Sequence, residues 1–170
     1  RASLGIVPQD PEIFAGSIEF NISLGRRGVT RDAVRRAAES VGAARFIERL
    51  PEGYETILEE NGANLSQGQR QLVVFARAIV TEPAMLLLDE ATSSLDPESE
   101  HLVQAAMDAL FVGRTVVVIA HRLSTVERCD RIVVLENGRV AESGTHQQLL
   151  HSRGVYCAMV RSFVDRKKRT

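Results

Sequence analysis

The sequence lacks an excess of charge of either sign. Its 21 lysine and arginine residues face 22 aspartate and glutamate residues, which leaves a formal net charge of -1. Proteins that bind nucleic acid usually carry a marked basic excess. The charge balance therefore disfavours that class of function, and we expect no nucleic-acid partner.

Cysteines and long apolar runs are also scarce. The two cysteines, Cys129 and Cys157, are not spaced as metal ligands, which disfavours a zinc site or a structural disulfide and indicates a reducing compartment. Apolar runs such as Val116 to Ala120 fall far short of the roughly 20 residues that a membrane helix requires. The N-terminus shows no signal-peptide pattern. We therefore expect a soluble chain of ordinary globular composition, with 44% hydrophobic and 25% charged residues.

Helix signals dominate the first half of the chain. Thr30 is a typical helix cap, and apolar residues follow it at helical spacing up to a stop at Gly42. A short second helix is expected over Ala43 to Leu50. Ser66 can cap a third helix, which would end at Pro83.

The second half alternates strands and helices. Met85 to Leu88 and Thr115 to Ile119 are bounded apolar runs, and the first is typical of a strand buried on both faces. Asp96 can cap a helix between them. Asn137-Gly138 predicts a hairpin, and Gln147 to Val164 is mostly helical in pattern. This order predicts an α/β fold with a partly parallel sheet.

Polar residues that can handle phosphate chemistry follow the expected strands. Asp89 and Glu90 end the run that begins at Met85, at the sheet edge where ligands of open α/β sheets bind. Asp89 can hold Mg²⁺, and Glu90 can orient or deprotonate an attacking water. His121 and Gln9 also follow expected strands, and could contact a terminal phosphate or Mg²⁺. Taken singly, each is more often a solvated polar residue at a strand end.

A glycine-containing turn precedes the helix that Ser66 is expected to cap. The free N–H groups and the positive dipole end of a helix N-terminus favour anions, so Ser66 and Gly68 can approach a phosphate closely. The alternative is an ordinary capped helix, and the turn alone favours that interpretation.

Together these residues resemble the ATP-binding cassette (ABC) family, from about Leu4 to Leu150. The resemblance rests on five motifs in the family's order and spacing. The motifs are the Q-loop (Gln9), the signature (Leu65 to Gln69, then Arg70 and Gln71), Walker B (Met85 to Asp89) with the catalytic glutamate (Glu90), the D-loop (Ser94 to Asp96) and the switch histidine (His121).

The resemblance implies a role for each of these residues. It implies a partial P-loop NTPase-like ABC ATPase domain with ATP and Mg²⁺ as cofactors. Catalytic roles fall on Glu90 and His121, and metal binding on Asp89 and Gln9. Contacts with the nucleotide fall on Gln9, Ser66, Gln67, Gly68, Gln69 and Asp96.

The stretch from Pro8 to Ile18, with the later Asn21 and Ile22, resembles the exporter branch of the family. This resemblance implies ATP-driven export and a membrane domain in the same polypeptide. It also implies a second nucleotide-binding domain facing the first head to tail, and a location at the cytoplasmic face of the plasma or inner membrane. A soluble ABC ATPase of DNA repair or translation is disfavoured by the same stretch.

A phosphate-binding loop is missing from these residues. It would read G-x-x-x-x-G-K followed by Ser or Thr, but the two lysines are Lys167 and Lys168, and neither precedes Ser or Thr. The alternative hypothesis is therefore a non-catalytic piece that presents only its signature turn to a partner's nucleotide.

We expect three regions. A helical signature lobe would cover residues 10–82, the remainder of a RecA-like core 83–150, and a C-terminal helix with a basic tail 151–170. Without the strand and helix of a P-loop, the apolar strand from Met85 to Leu88 would lose neighbours, at about 1.5–3 kcal/mol per uncovered side chain. We accordingly expect an oligomer, a domain swap or an aggregation-prone monomer.

Overall fold

A computed structural model describes residues 4–10, 12–89, 97–120 and 123–167, and for residues 97, 98 and 163–167 it describes the backbone alone. The chain forms two compact units, Arg1–Ile119 and Ala120–Thr170. The first unit contains β1 (Leu4–Val7), β2 (Gly16–Ser17), α1 (Ile18–Ser23), α2 (Arg31–Ser40), α3 (Ala44–Ile47), β3 (Ile57–Leu58), α4 (Gln67–Ile79), β4 (Met85–Asp89), α5 (Pro97–Phe111) and β5 (Thr115–Ile119), with short 3-10 turns at Gly53–Glu55 and Glu60–Gly62. The second contains α6 (Leu123–Val126), β6 (Ile132–Glu136), β7 (Arg139–Gly144), α7 (His146–Ser152) and α8 (Val155–Lys167).

The helices of the first unit begin at the caps that the sequence predicts. The Thr30 hydroxyl accepts a hydrogen bond from the Ala33 amide at the start of α2, which satisfies one of the free N–H groups of the first turn. Ser66 caps α4 in the same way. The helix expected over 43–50 is shorter than predicted, because it covers only Ala44–Ile47.

A three-stranded parallel sheet lies beside these helices, in the order β1-β4-β5. The register pairs Val7 with Leu88, and Asp89 with Ile119. Sequence-distant strands thus become neighbours, and their carboxyl ends meet at one edge. The predicted α/β class with a parallel sheet is confirmed.

The two faces of this sheet differ, which corrects the prediction that the strand from Met85 to Leu88 is buried on both. Leu86 and Leu88 are buried in the main core with Val7 and the apolar side of α4 and α5. The opposite face stays open among the described residues. Its apolar side chains Leu4, Ile6, Met85, Val117 and Ile119 are 40% to 56% exposed. The run therefore has the composition of a strand that is buried on both faces, but the described residues cover it on one face.

The second unit is an antiparallel hairpin packed against two helices. Asn137 and Gly138 join β6 to β7, and both have positive φ angles of 51° and 74°, which the tight hairpin turn predicted from Asn-Gly requires. The hydrophobic core of this unit is small and consists of Ile132, Val134, Leu149 and Tyr156. The expected helix from 147 to 164 is confirmed as two helices, broken at Arg153, whose φ is 54°.

The division into regions 10–82, 83–150 and 151–170 stays a prediction; the boundary between the two compact units falls after Ile119. Of the helices within the described ranges, none is both long enough and apolar enough to cross a membrane.

Candidate functional site

Gln9 and Asp89 are carried to the same edge of the parallel sheet. Asp89 ends β4, and Gln9 follows the end of β1 by two residues. Because Val7 is paired with Leu88, the two chain segments leave the sheet side by side. Gln9 is exposed and Asp89 is half-buried, so a ligand in solvent can reach both. The sheet therefore positions one amide and one carboxylate as the sequence predicts, although their roles stay predictions.

Three predicted site residues, Glu90, Asp96 and His121, lie outside the described residues. In the sequence, Glu90 follows Asp89 directly, and Asp96 precedes the first residue of α5. Their catalytic and nucleotide-binding roles remain predictions.

The signature turn, Ser66 to Gln69, is built by reciprocal hydrogen bonds. The main-chain N–H of Gln69 donates to the Ser66 hydroxyl oxygen at 3.2 Å, and the main-chain N–H of Ser66 donates to the Gln69 side-chain oxygen at 2.9 Å. This capping box fixes the start of α4. A hydroxyl that accepts in this way still has its own O–H to donate. Ser66 and Gln67 are exposed, so the turn can offer donors to an anion while its backbone stays rigid.

Gly68 is held against the neighbouring helix. A Cβ atom at this position would lie 2.9 Å from both Cβ and Oγ of Ser99, and 3.3 Å from its Cα. Ser99 is buried on α5, the helix that follows Asp96. Sequence reasoning predicted glycine here for close approach to a phosphate, and the structure adds a second reason that the turn alone could not disclose.

A polar network between Asn21 and Arg77 was missed by sequence reasoning. Asn21 is fully buried on α1, and the Arg77 guanidinium on α4 reaches its main-chain oxygen at 2.7 Å and its side-chain oxygen at 3.0 Å. Burial, then the nearby Arg26 cation, lowers the pKa of Arg77 to about 10, so the group stays protonated at neutral pH. An arginine between buried residues near the end of α4 was the available signal.

A cavity of about 270 Å³ lies on the helical side of the first unit, lined by Glu19, Arg31, Val34, Arg35, Glu52, Gly53, Tyr54 and Glu55. Arg31 is paired there with Glu19 at 3.2 Å and with Glu55 at 2.8 Å. Exposed pairs of this kind contribute little stability, about 0–1 kcal/mol each. None of the predicted site residues lines this cavity.

The residues that the structure describes hold no cluster of three or more His, Cys, Asp or Glu side chains suited to a metal ion. A caged metal site would need such a cluster, but Mg²⁺ in phosphate-transfer sites is held by one or two protein oxygens together with phosphate and water. The Asp89 carboxylate and the Gln9 amide oxygen fit that smaller donor set.

Known proteins share much of this sequence and fold. The sequence model described as ABC transporter matches residues 1–93, more than half of the chain. The chain is 49% identical to the ATP-dependent lipid A-core flippase of Chromobacterium violaceum over 94% of its own length and 27% of that protein. It is 46% identical to ABC transporter B family member 21 of Arabidopsis thaliana over 99% of its length and 13% of that protein.

A solved structure, that of a bacterial Atm1-family ABC exporter with ATP bound, superposes with a TM-score of 0.83 at 46% identity, covering 95% of this chain and 28% of the exporter chain. The chain thus spans between 13% and 28% of the lengths of these three relatives. Similarity of this extent, together with the parallel sheet and the capped signature turn, shows that the chain belongs to the ABC transporter family.

Proposed function

We propose that this chain is part of the ATP-binding and ATP-hydrolysing domain of an ATP-driven exporter. The observation that carries the proposal is the strand register, which brings Gln9 and Asp89 to one edge of the sheet. The similarity to exporters, among them the Atm1-family structure with ATP bound, supports the same assignment.

Within this proposal each residue has a distinct task. The Asp89 carboxylate and the Gln9 amide oxygen hold Mg²⁺, which neutralises charge on the phosphates when bound. The Glu90 carboxylate, next in sequence, orients and deprotonates the attacking water, and the His121 imidazole donates to the terminal phosphate.

The signature turn acts on the nucleotide of a second domain. Ser66 donates its O–H, and the first amides of α4 face the phosphate with the positive end of the helix dipole. Gln67, Gly68 and Gln69 shape this surface, and α5 packs against it. Asp96, which directly precedes α5 in the sequence, is proposed to contact the nucleotide as well. The proposed partners are accordingly a second nucleotide-binding domain, arranged head to tail, and the membrane domain of the same transporter. The site would lie at the cytoplasmic face of the membrane.

Replacing Glu90 by Gln in the intact protein tests this assignment. We expect ATP turnover to fall by about 10²–10⁴-fold, because the variant loses its general base, while ATP binding is retained. The same change at Glu39, an exposed residue of α2, should leave turnover unaltered. Near-normal hydrolysis by Glu90→Gln would contradict the role.

A second candidate follows from the sequence itself. These 170 residues contain no G-x-x-x-x-G-K sequence, so by themselves they would only present Ser66 and Gly68 to a nucleotide held elsewhere. Mg²⁺-dependent ATP hydrolysis by the purified 170-residue chain would remove this candidate.

A further inference from the structure

We propose that Arg77 is a positioning residue that joins the segment after Gln9 to the signature helix, so that the two move as one body. The segment concerned, here called the linking segment, comprises residues 12–21. It begins three residues after Gln9 in the sequence and ends on α1. The inference rests on the proposed function only for its effect on ATP turnover.

The Arg77 guanidinium donates to the linking segment at both of its ends. Nη1 reaches the main-chain oxygen of Glu12 at 2.7 Å, Nε reaches that of Asn21 at 2.7 Å, and Nη2 reaches Oδ1 of Asn21 at 3.0 Å. The guanidinium carbon also lies 5.3 Å from the centre of the Phe14 ring, within the range of a cation–π contact. A lysine has no planar fork and cannot reproduce these directions.

Asn21 passes this constraint to the middle of the linking segment. Its Oδ1 accepts from the Phe14 amide at 2.9 Å as well as from Arg77, and its Nδ2 donates to the main-chain oxygens of Phe14 at 2.8 Å and Ser17 at 3.1 Å. The two acceptor positions and two donor hydrogens of the amide are therefore all used. Because Asn21 is fully buried, losing one of these bonds leaves an unpaired polar group that water cannot readily satisfy.

A second connection holds the linking segment near the other end of α4. The main-chain N–H of Asn61 donates to the main-chain oxygen of Ile13 at 3.1 Å. The loop that carries Asn61 is itself bound to α4, because Arg70 donates to the main-chain oxygens of Gly62 at 3.2 Å and Leu65 at 2.9 Å. The segment is thus attached to the helix through Arg77 and to the loop in front of the signature turn.

The helix between these attachments is continuous. Arg77 lies eleven residues after Ser66, or roughly 16 Å along the axis at 1.5 Å per residue. A helix of this length behaves as a stiff rod, so a displacement of the linking segment also displaces the signature turn. Within the described ranges, the Arg77 side chain forms its hydrogen bonds with Glu12 and Asn21 and not with a predicted nucleotide-binding residue, so we assign its effect to this connection.

The experiment compares Arg77→Lys and Asn21→Ser with Arg36→Lys, a matched change at an exposed arginine of α2. Hydrogen exchange of the intact protein is followed by mass spectrometry in peptides covering the linking segment and α2. ATP turnover, KM and the stoichiometry of ATP binding are measured on the same samples. Asn21→Ser removes the network from its other side, should Arg77→Lys fail to fold.

We expect the linking segment to exchange at least ten-fold faster in Arg77→Lys and Asn21→Ser, with exchange in α2 unchanged. Turnover should fall at least five-fold, while KM and binding stoichiometry stay within two-fold of the unaltered protein. A residue that only stabilises the fold would instead raise exchange everywhere or lower the stoichiometry. The proposal is overturned if exchange rises everywhere or if the stoichiometry of ATP binding falls. It is also overturned if exchange in the linking segment is unchanged, or if turnover is unchanged although exchange is faster. If the unaltered protein hydrolyses no ATP, the proposed function fails, and the exchange results alone decide whether Arg77 joins the two elements.

Discussion

The close contact between Gly68 and Ser99 allows a quantitative prediction about the signature turn. In the variant Gly68→Ala, the new methyl carbon would lie 2.9 Å from both Cβ and Oγ of Ser99. Carbon atoms pack best at about 3.5–4.0 Å, so α4 and α5 would have to part by roughly 0.6–1 Å. Crowding of this kind costs about 1–3 kcal/mol, and the better helix propensity of alanine offsets up to about 1 kcal/mol. We therefore expect a net loss of roughly 1–2 kcal/mol in the free energy of unfolding.

The prediction is tested by equilibrium unfolding in urea in three backgrounds at position 99. Ser99→Ala removes Oγ but keeps Cβ, so most of the cost of Gly68→Ala should remain. Ser99→Gly removes both atoms, and the nearest part of residue 99 is then Cα at 3.3 Å, so the cost of Gly68→Ala should largely disappear. Gln67→Ala, at an exposed position of the same turn, serves as the control and should change stability by less than about 0.5 kcal/mol.

The prediction is refuted if Gly68→Ala lowers the free energy of unfolding by the same amount in all three backgrounds, which are Ser99, Ser99→Ala and Ser99→Gly. The double variant that combines Gly68→Ala with Ser99→Gly has a further use, because it separates packing from ligand contact. If it folds normally but loses ATP turnover, the glycine at position 68 is needed for close approach to the nucleotide as well.

Two further predictions concern the tyrosines and the open sheet face. Burial raises the pKa of both Tyr54 and Tyr156 above the ordinary value of 10.0, with smaller contributions from nearby acidic groups. A raised folded pKa means that the associated stability is fully present below pH 10 and is lost as the pH rises through the higher folded values. The midpoint of the phenolate absorbance change should therefore lie above pH 10 in the native protein and at about pH 10 in urea. A midpoint at about pH 10 in the native protein would contradict this. On the open face, Ile6→Lys and Val117→Lys should shift the protein toward the monomer in light scattering, because they interrupt an exposed apolar surface. Leu102→Lys, a similarly exposed position on α5, should not, and equal behaviour of all three variants would contradict association through this face.

Local elements of the fold were predictable because their causes lie within a few residues. The caps at Thr30 and Ser66 need only a side-chain oxygen and an amide three residues later, and both predictions are confirmed. The hairpin at Asn137 and Gly138 is confirmed for a similar reason, since these two residues tolerate positive φ angles.

The extent and burial of elements were less predictable. The helix expected over 43–50 covers only Ala44–Ile47. The part of the chain that the structure describes covers the strand from Met85 to Leu88 on one face instead of two. The apolar composition of a strand indicates that it can be buried. The neighbours that cover it come from elsewhere in the chain or from outside these residues, so the strand's own sequence does not identify them.

The candidate site divides in the same way. The sequence order of the motifs identified Gln9, Asp89 and the signature turn, and the strand register then placed Gln9 and Asp89 at one edge. The Asn21–Arg77 network was not found, because its partners are 56 residues apart. The exporter-like stretch includes Asn21, but a local pattern does not indicate which distant side chain Asn21 contacts.

By itself, the sequence determined the chemistry available to this protein. It specified which acids, amides and hydroxyls exist, where helices begin, where chains turn and which family the motifs resemble, because these depend on residue type and short-range geometry. Tertiary structure alone decided which strands pair and in what register, which face of the sheet is covered, why Gly68 has no room for a methyl group, and how Arg77 is joined to residues 12–21. Those properties depend on atoms brought together across long stretches of chain, and close packing leaves only a few tenths of an ångström between a contact and a clash.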